Sequence, residues 1–266
     1  MPDPIITLTT DFGTSDHLAG TMKGVILRIN PAARIVDLQH HVAPFDVLDG
    51  ALTIGAAYPY FPPRTIHLVI VDPGVGTERR PLLVSADQQY FIGPDNGVLS
   101  VVYERDPDAT VRHITASHNF LSPLSPTFHG RDIFAPVAGW LSKAWQTETF
   151  GEVITDFVRF SVPKPKPEGR ALKGMVLRVD YFGNLITNFR AGDVPAAAAD
   201  FGKIKLQAGS NVVERLVLTF GQGAPGELIA LLGSTGFLEI AINKGNAART
   251  LGVTRGAEVT LELPAT

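Results

Sequence analysis

Asp72 and Arg79 are the two residues best placed to do chemistry. Asp72 closes the apolar run His67-Leu68-Val69-Ile70-Val71, and Arg79 lies seven residues further on, past the glycine-rich turn Pro73-Gly74-Val75-Gly76. A carboxylate can accept a proton and a guanidinium can steady a growing negative charge. The run before Asp72 suits a parallel strand covered on both faces and stopped by Asp-Pro-Gly. In an open α/β sheet, ligands sit at the carboxyl ends of such strands. The plainer alternative, Asp72 as the polar corner of a turn and Arg79 as a surface charge, stays open on these residues alone.

Other segments add to this. Asp11 ends an earlier apolar run as Asp72 ends the later one, so both carboxylates should emerge along one sheet edge. Residues 117–130 lack periodicity, contain prolines and deliver His129 to a helix opened by Asp132, as an active-site loop would. Further on, Asp180-Tyr181-Phe182-Gly183-Asn184-Leu185-Ile186-Thr187-Asn188 sets an acid, an aromatic face and two carboxamides around a glycine, which suits a flat polar ligand or a tight hairpin.

The elements that must position these residues follow from periodicity. Residues 4–9, 34–38 and 67–71 read as strands. The first helix runs from a Ser15 or Asp16 cap to Asn30-Pro31, and the second spans Asp46 to Tyr58. Strand, helix, strand, helix, strand means an α/β domain with a mostly parallel sheet. Strands are also expected at 82–86, 90–92 and 111–114, with a helix from Asp132 to about Ala144. The stretch Pro163-Lys164-Pro165-Lys166-Pro167-Glu168-Gly169 alternates proline with charge and should form no regular structure. It divides an N-terminal α/β domain, residues 1–162, from a smaller C-terminal all-β, barrel-like domain, residues 170–266, with 163–169 as linker. Helix is suggested in the second domain only near 195–200 and 246–251.

Composition narrows the function. The chain has 266 residues, 45% of them hydrophobic, and a formal net charge of −3, enough for a proper core and with no basic footprint for nucleic acid. No cysteine is present, so disulfides, thiolate metal sites and cysteine nucleophiles are all ruled out. No apolar run approaches the roughly eighteen residues that span a membrane, and the first residues lack a basic, secretory-type start. A cytoplasmic protein acting on a small molecule is expected. The glycines fit neither the dinucleotide fingerprint nor the phosphate loop. His40 and His41 are adjacent and would face opposite ways on a strand, while His17, His67, His113 and His118 lack ligand spacing, so no metal site is expected.

Five segments in order, TDFG-x-x-D at 10–16, VDPGVGTERR at 71–80, FHGRD at 128–132, DYFGNLITN at 180–188 and GSTGFLEIAIN at 233–243, resemble the S-adenosylmethionine (SAM) hydroxide adenosyltransferase family, which is similar to the fluorinases and chlorinases. The resemblance implies an N-terminal α/β domain, a C-terminal β-barrel domain and a homotrimer whose sites lie between the N-terminal domain of one subunit and the C-terminal domain of its neighbour. It implies hydrolysis of SAM to adenosine and methionine, with SAM as substrate and no cofactor or metal. A hydroxide-forming triad falls on Asp72, Arg79 and His129. Asp11 matches a ribose-binding carboxylate and Phe45 an aromatic flanking the sugar. Asp16 and Asp180 match acids near the methionine ammonium, and Ser234 a contact to its carboxylate. Phe182 and Asn184 match the adenosine side, and Asn243 closes the last substrate-binding segment. Two features depart from the halogenases: Arg80 leads directly into Pro81-Leu82-Leu83 with no long insertion, and a carboxylate-binding arginine is replaced by Thr235. A halogenase would have no use for Arg79 and His129, and a non-catalytic SAM or adenosine sensor would not need the triad.

Overall fold

The computed structural model describes residues 3–194 and 203–263. The chain forms two compact units, Met1–Ser161 and Val162–Thr266. The first is built on a six-stranded sheet of β1 (Ile5–Thr10), β2 (Arg34–Gln39), β3 (Ile66–Ile70), β4 (Pro81–Ala86), β5 (Gln89–Pro94) and β6 (Thr110–His113). Their order is β2-β1-β3-β5-β4-β6, and β4 alone runs against the others.

Every residue of β3 is buried because helices cover both faces of the sheet. Alternation sends Leu68 and Ile70 one way, where α1 (Leu18–Ile29) and α4 (Ala135–Ser142) supply Met22, Ile26, Val137 and Leu141. It sends Val69 and Val71 the other way, toward Ile54 of α2 (Val47–Ala57) and Val102 of α3 (Ser100–Arg105). His67 shares that second face, fully buried, bonded to Thr7 Oγ1 at 2.7 Å and to Gln89, and stacked on Phe91. Burial pushes its pKa down to about 4, so the ring is a neutral core member at neutral pH.

Helix ends differ in part from expectation. The second helix begins as expected, one residue on: Asp46 is its cap, accepting from the Asp49 N–H at 3.0 Å. Neither Ser15 nor Asp16 caps α1: His17 occupies the cap position with no side-chain bond, and Ser15 and Asp16 stand exposed before it. Asp132 does not open a regular α-helix. It lies in a wider π-type turn, Gly130–Phe134, that precedes α4, and its carboxylate is bonded by Arg131 and by the Ser125 N–H at 2.8 Å.

The second unit is an antiparallel, nearly closed sheet. It comprises β7 (Lys166–Glu168), β8 (Ala171–Val179), β9 (Leu185–Arg190), β10 (Lys203–Ala208), β11 (Asn211–Arg215), β12 (Leu228–Leu232), β13 (Phe237–Ile242) and β14 (Glu258–Glu262). The path β11-β10-β14-β8-β9-β13-β12 almost meets itself, with a bridge between Leu216 and Ala230 just beyond β11. Val176, Leu185, Leu206, Leu238, Ile240 and Leu261 fill its interior. A short α5 (Ala247–Leu251) follows Asn246, whose side chain caps it. The proline-rich linker is not wholly irregular: Lys166–Glu168 pairs along β8, with Pro167 opposite Leu172. An edge strand tolerates proline because an imide nitrogen can face outward without losing a ladder bond. The suggested helix near 195–200 lies outside the described residues.

Candidate active site

The parallel ladder aligns Thr10 of β1 with Ile70 of β3, so Asp11 and Asp72 leave the sheet along the same edge. The end of β3 is held by Asn96, whose Nδ2 donates to the Val71 carbonyl at 2.8 Å. The chain then turns twice on itself, with the Thr77 N–H and hydroxyl both donating to the Gly74 carbonyl. This folding back brings Arg79 onto Asp72: its Nε donates to Oδ1 at 2.9 Å and Oδ2 at 3.0 Å, and its Nη2 also reaches Oδ2. Arg80 goes the opposite way, to Asp95 and Asp156, as neighbours on an extended segment must.

His129 completes the cluster. Arg79 Nη2 donates to its Nδ1 at 2.9 Å. A guanidinium can only donate, so Nδ1 is the acceptor and the neutral ring carries its proton on Nε2. Burial first, and then the Arg79 charge, lower the His129 pKa from 6.5, which keeps the ring neutral at pH 7. Phe134 lies under the guanidinium, 5.2 Å from ring centroid to Cζ. Arg79 and Asp72 side chains are 8% and 5% exposed, and Arg79 Nη1 is buried with no hydrogen-bond partner among the described residues. A desolvated N–H of a cation is costly to leave unmatched, and a ligand oxygen would match it.

Two loops carry this cluster, and they touch at Gly76. Its φ is +78°, and a Cβ placed there would lie 2.1 Å from the carbonyl oxygen of Pro126, three residues before His129. Glycine is needed for both reasons. Asp11 Oδ2 accepts the Phe45 N–H at 2.9 Å, and Phe45 has φ 66° and is 74% exposed. A bulky residue in that left-handed region, beside an acid at the ligand-facing edge, is a feature of functional loops.

The other sequence-selected residues fall into two sets. Asp16 lies exposed in the loop before α1. In the second unit Asp180 and Asn184, expected to meet opposite ends of a ligand, are bonded to each other: Asp180 accepts from the Asn184 backbone N–H and from Nδ2, each at 2.8 Å. Their turn displays Phe182 to solvent beside Tyr181. Ser234 stands exposed in the Gly233–Gly236 turn. Asn243 is turned to structural use, its Nδ2 donating to the Gly223 carbonyl at 2.7 Å. Sequence reasoning did not single out Asn96, Phe134 or the Gly76–Pro126 approach. The Gly93-Pro94-Asp95-Asn96-Gly97 turn signal was the only local clue to any of them. Among the described residues no group of three His, Cys, Asp or Glu is arranged to hold a metal ion. No described helix is long and apolar enough to cross a membrane.

A mostly parallel α/β unit is followed in the chain by a near-barrel β unit, and carboxylate, guanidinium and imidazole interlock by the carboxyl end of a parallel strand, which together define a two-unit class with a polar cluster at the sheet edge. Residues 6–151 match the SAM hydroxide adenosyltransferase N-terminal domain and residues 174–260 its C-terminal domain, and the chain belongs to this family. It is 38% identical to an (R)-S-adenosyl-L-methionine hydrolase of Salinispora tropica, over 96% of either chain. It is 27% identical to a fluorinase of an Actinoplanes species, over 97% of either chain. A crystal structure of an uncharacterized conserved protein from Thermotoga maritima superimposes with a TM-score of 0.89 at 38% identity, covering 96% of this chain and 99% of that one.

Proposed function

We propose that this chain hydrolyses S-adenosyl-L-methionine to adenosine and L-methionine. The observation that carries the reading is the interlocked Asp72, Arg79 and His129, with the buried guanidinium Nη1 left without a partner among the described residues. The sulfonium is already a good leaving group, so the difficulty is the nucleophile. Water placed against Arg79 Nη1 attacks C5′, the C5′–S bond breaks, and its electron pair leaves with methionine as a neutral thioether. Water's second proton is lost, so one cation and one water yield two neutral products and a proton. In this proposal Asp72 takes that proton first, because Nδ1 of His129 is already occupied by Arg79. His129, neutral, keeps the guanidinium in place, and Arg79 steadies the oxygen as it gains negative charge. A dry site favours this step because charge is dispersed as it proceeds.

In the same reading Asp11 grips the ribose and Phe45 flanks it. Asp16 and Asp180 face the ammonium, Ser234 the carboxylate, and Phe182, Asn184 and Asn243 line the adenosine side. The chain acts as a homotrimer with each site between neighbouring subunits, and the functional halves are residues 1–162 and 170–266. Incubation of the pure protein with SAM, with and without chloride, followed by chromatography, tests it: adenosine and methionine are expected in both. A chlorinated adenosine, or intact SAM, overturns it. Light scattering on the same sample is expected to give three chain masses.

A further inference from the structure

One buried acid of the second unit has no use in anything described so far. Glu239 lies in β13, opposite Ile186 of β9 and Leu231 of β12. Its neighbours Leu238 and Ile240 point into the interior, so alternation turns Glu239 to the other face of the sheet. It is nine-tenths buried, at 9% exposure, and its carboxyl makes no hydrogen bond or ion pair with any described residue.

Its direction is set by the turn above it. A Cβ at Gly233 would lie 1.8 Å from Glu239 Oε1, so the carboxyl is pressed against the backbone where the Gly233–Gly236 turn begins. Asp180 is near enough for the two negative charges to repel, and burial, with that repulsion second, raises the Glu239 pKa. Asp180 is occupied by Asn184, so Glu239 has no donor to share from it.

A buried carboxyl without a donor, beside a second acid and under an exposed turn, is incomplete until a cation arrives. The missing partner must be small, positively charged and rich in N–H groups. An anion or a neutral ring would leave the Glu239 carboxylate unmatched. Resting on the reading that SAM is the substrate, we propose that Glu239 is a specificity-determining residue: its carboxylate, beneath the Gly233–Gly236 turn and beside Asp180, receives the α-ammonium of the substrate's amino-acid end. The turn above supplies the Ser234 hydroxyl and the N–H groups of Ser234 and Thr235, which form no bonds within the described residues and suit the adjoining carboxylate. A zwitterion would thus be met by acid below and donors above, without the arginine that Thr235 replaces.

The test uses the full-length protein and three ligands: SAM, an analogue with hydrogen in place of the α-amino group, and adenosine. Glu239→Gln keeps the volume and removes the charge. It is expected to raise KM for SAM by roughly tenfold or more, the scale of losing a hydrogen bond to a charged group, with a far smaller change in kcat. KM for the desamino analogue and Kd for adenosine should stay at parental values, and Glu239→Asp should recover part of the loss. A purely structural role would weaken all three ligands together, and that result, or a parental KM for SAM, overturns the proposal. Parental protein is assayed first. If it leaves SAM intact, the hydrolase reading fails by itself, and calorimetric titration of SAM against parent and Glu239→Gln still decides the ammonium contact.

Discussion

The sheet edge of the first unit and the turns of the second are built in contrasting ways. At the sheet edge, Asp72, Arg79 and His129 are already bonded to one another, buried and backed by Phe134. In the second unit, Tyr181 is 97% exposed and Phe182 71%, the Asp180 carboxylate closes its own turn, and the Glu239 carboxyl has no partner among the described residues. The groups assigned to the reaction are set before substrate arrives, so little reorganisation remains for the chemical step. The groups assigned to recognition present unfinished surfaces, and their binding energy is realised only when something covers them.

The sharpest way to break this contrast is to remove the centre of the preorganised set. Arg79→Ala is expected to lower turnover by about a hundredfold or more, the usual scale for losing an oxyanion stabiliser, while adenosine still binds nearly as in the parent. Single-turnover rates beside calorimetric titration check both halves. A variant with parental turnover would mean that the cluster is only a fold clasp.

The next effect is read by pH. The folded His129 pKa is below 6.5, so the ring is neutral at pH 7 and its Nδ1 is free to accept from Arg79. Falling pH protonates Nδ1, sets a second cation against the guanidinium and breaks that bond. We expect kcat/KM to be level from pH 8 to 6.5, then to fall below that by up to about tenfold per pH unit. A decline that begins above pH 7 would contradict the lowered pKa.

A smaller effect sharpens the division between reaction and recognition. Asp11→Ala removes an acid that would hold substrate and transition state alike, and it also releases the Phe45 N–H. Adenosine affinity should drop roughly tenfold, with kcat changed much less. If calorimetry shows undiminished affinity, Asp11 serves only to shape the Phe45 loop.

Much of the fold was legible because it is local. The buried run ending at Val71, the helical spacing of Leu18, Met22, Val25 and Ile26, and the glycine and asparagine turns of the second unit are written in adjacent residues. So was the shared edge for Asp11 and Asp72, which follows from two parallel strands. What stayed hidden depends on distant partners. Arg79 and Arg80 look alike in sequence, and only the fold sends one to Asp72 and the other to Asp95 and Asp156. The pairing of Lys166–Glu168 depends on the open edge of β8, so a string of prolines gave no sign of it. Glu239 is the lone acid of an otherwise apolar strand, and its approach to Gly233 depends on how the chain turns after β12. The helix cap at His17 breaks the usual preference, and nothing in the structure explains why Ser15 stands aside.

Gly76 limits how this chain can vary over evolutionary time. The loop after β3 and the loop before the π-type turn could each drift in composition, since much of both is exposed. At one point they cannot drift independently, because the Pro126 carbonyl occupies the space where any side chain on residue 76 would begin. A substitution there would wedge apart the loops that carry Arg79 and His129, although residue 76 belongs to neither side of that bond. Purifying selection on position 76 would then be as severe as on the charged residues themselves, and an insertion in either loop would survive only if it left this crossing in register.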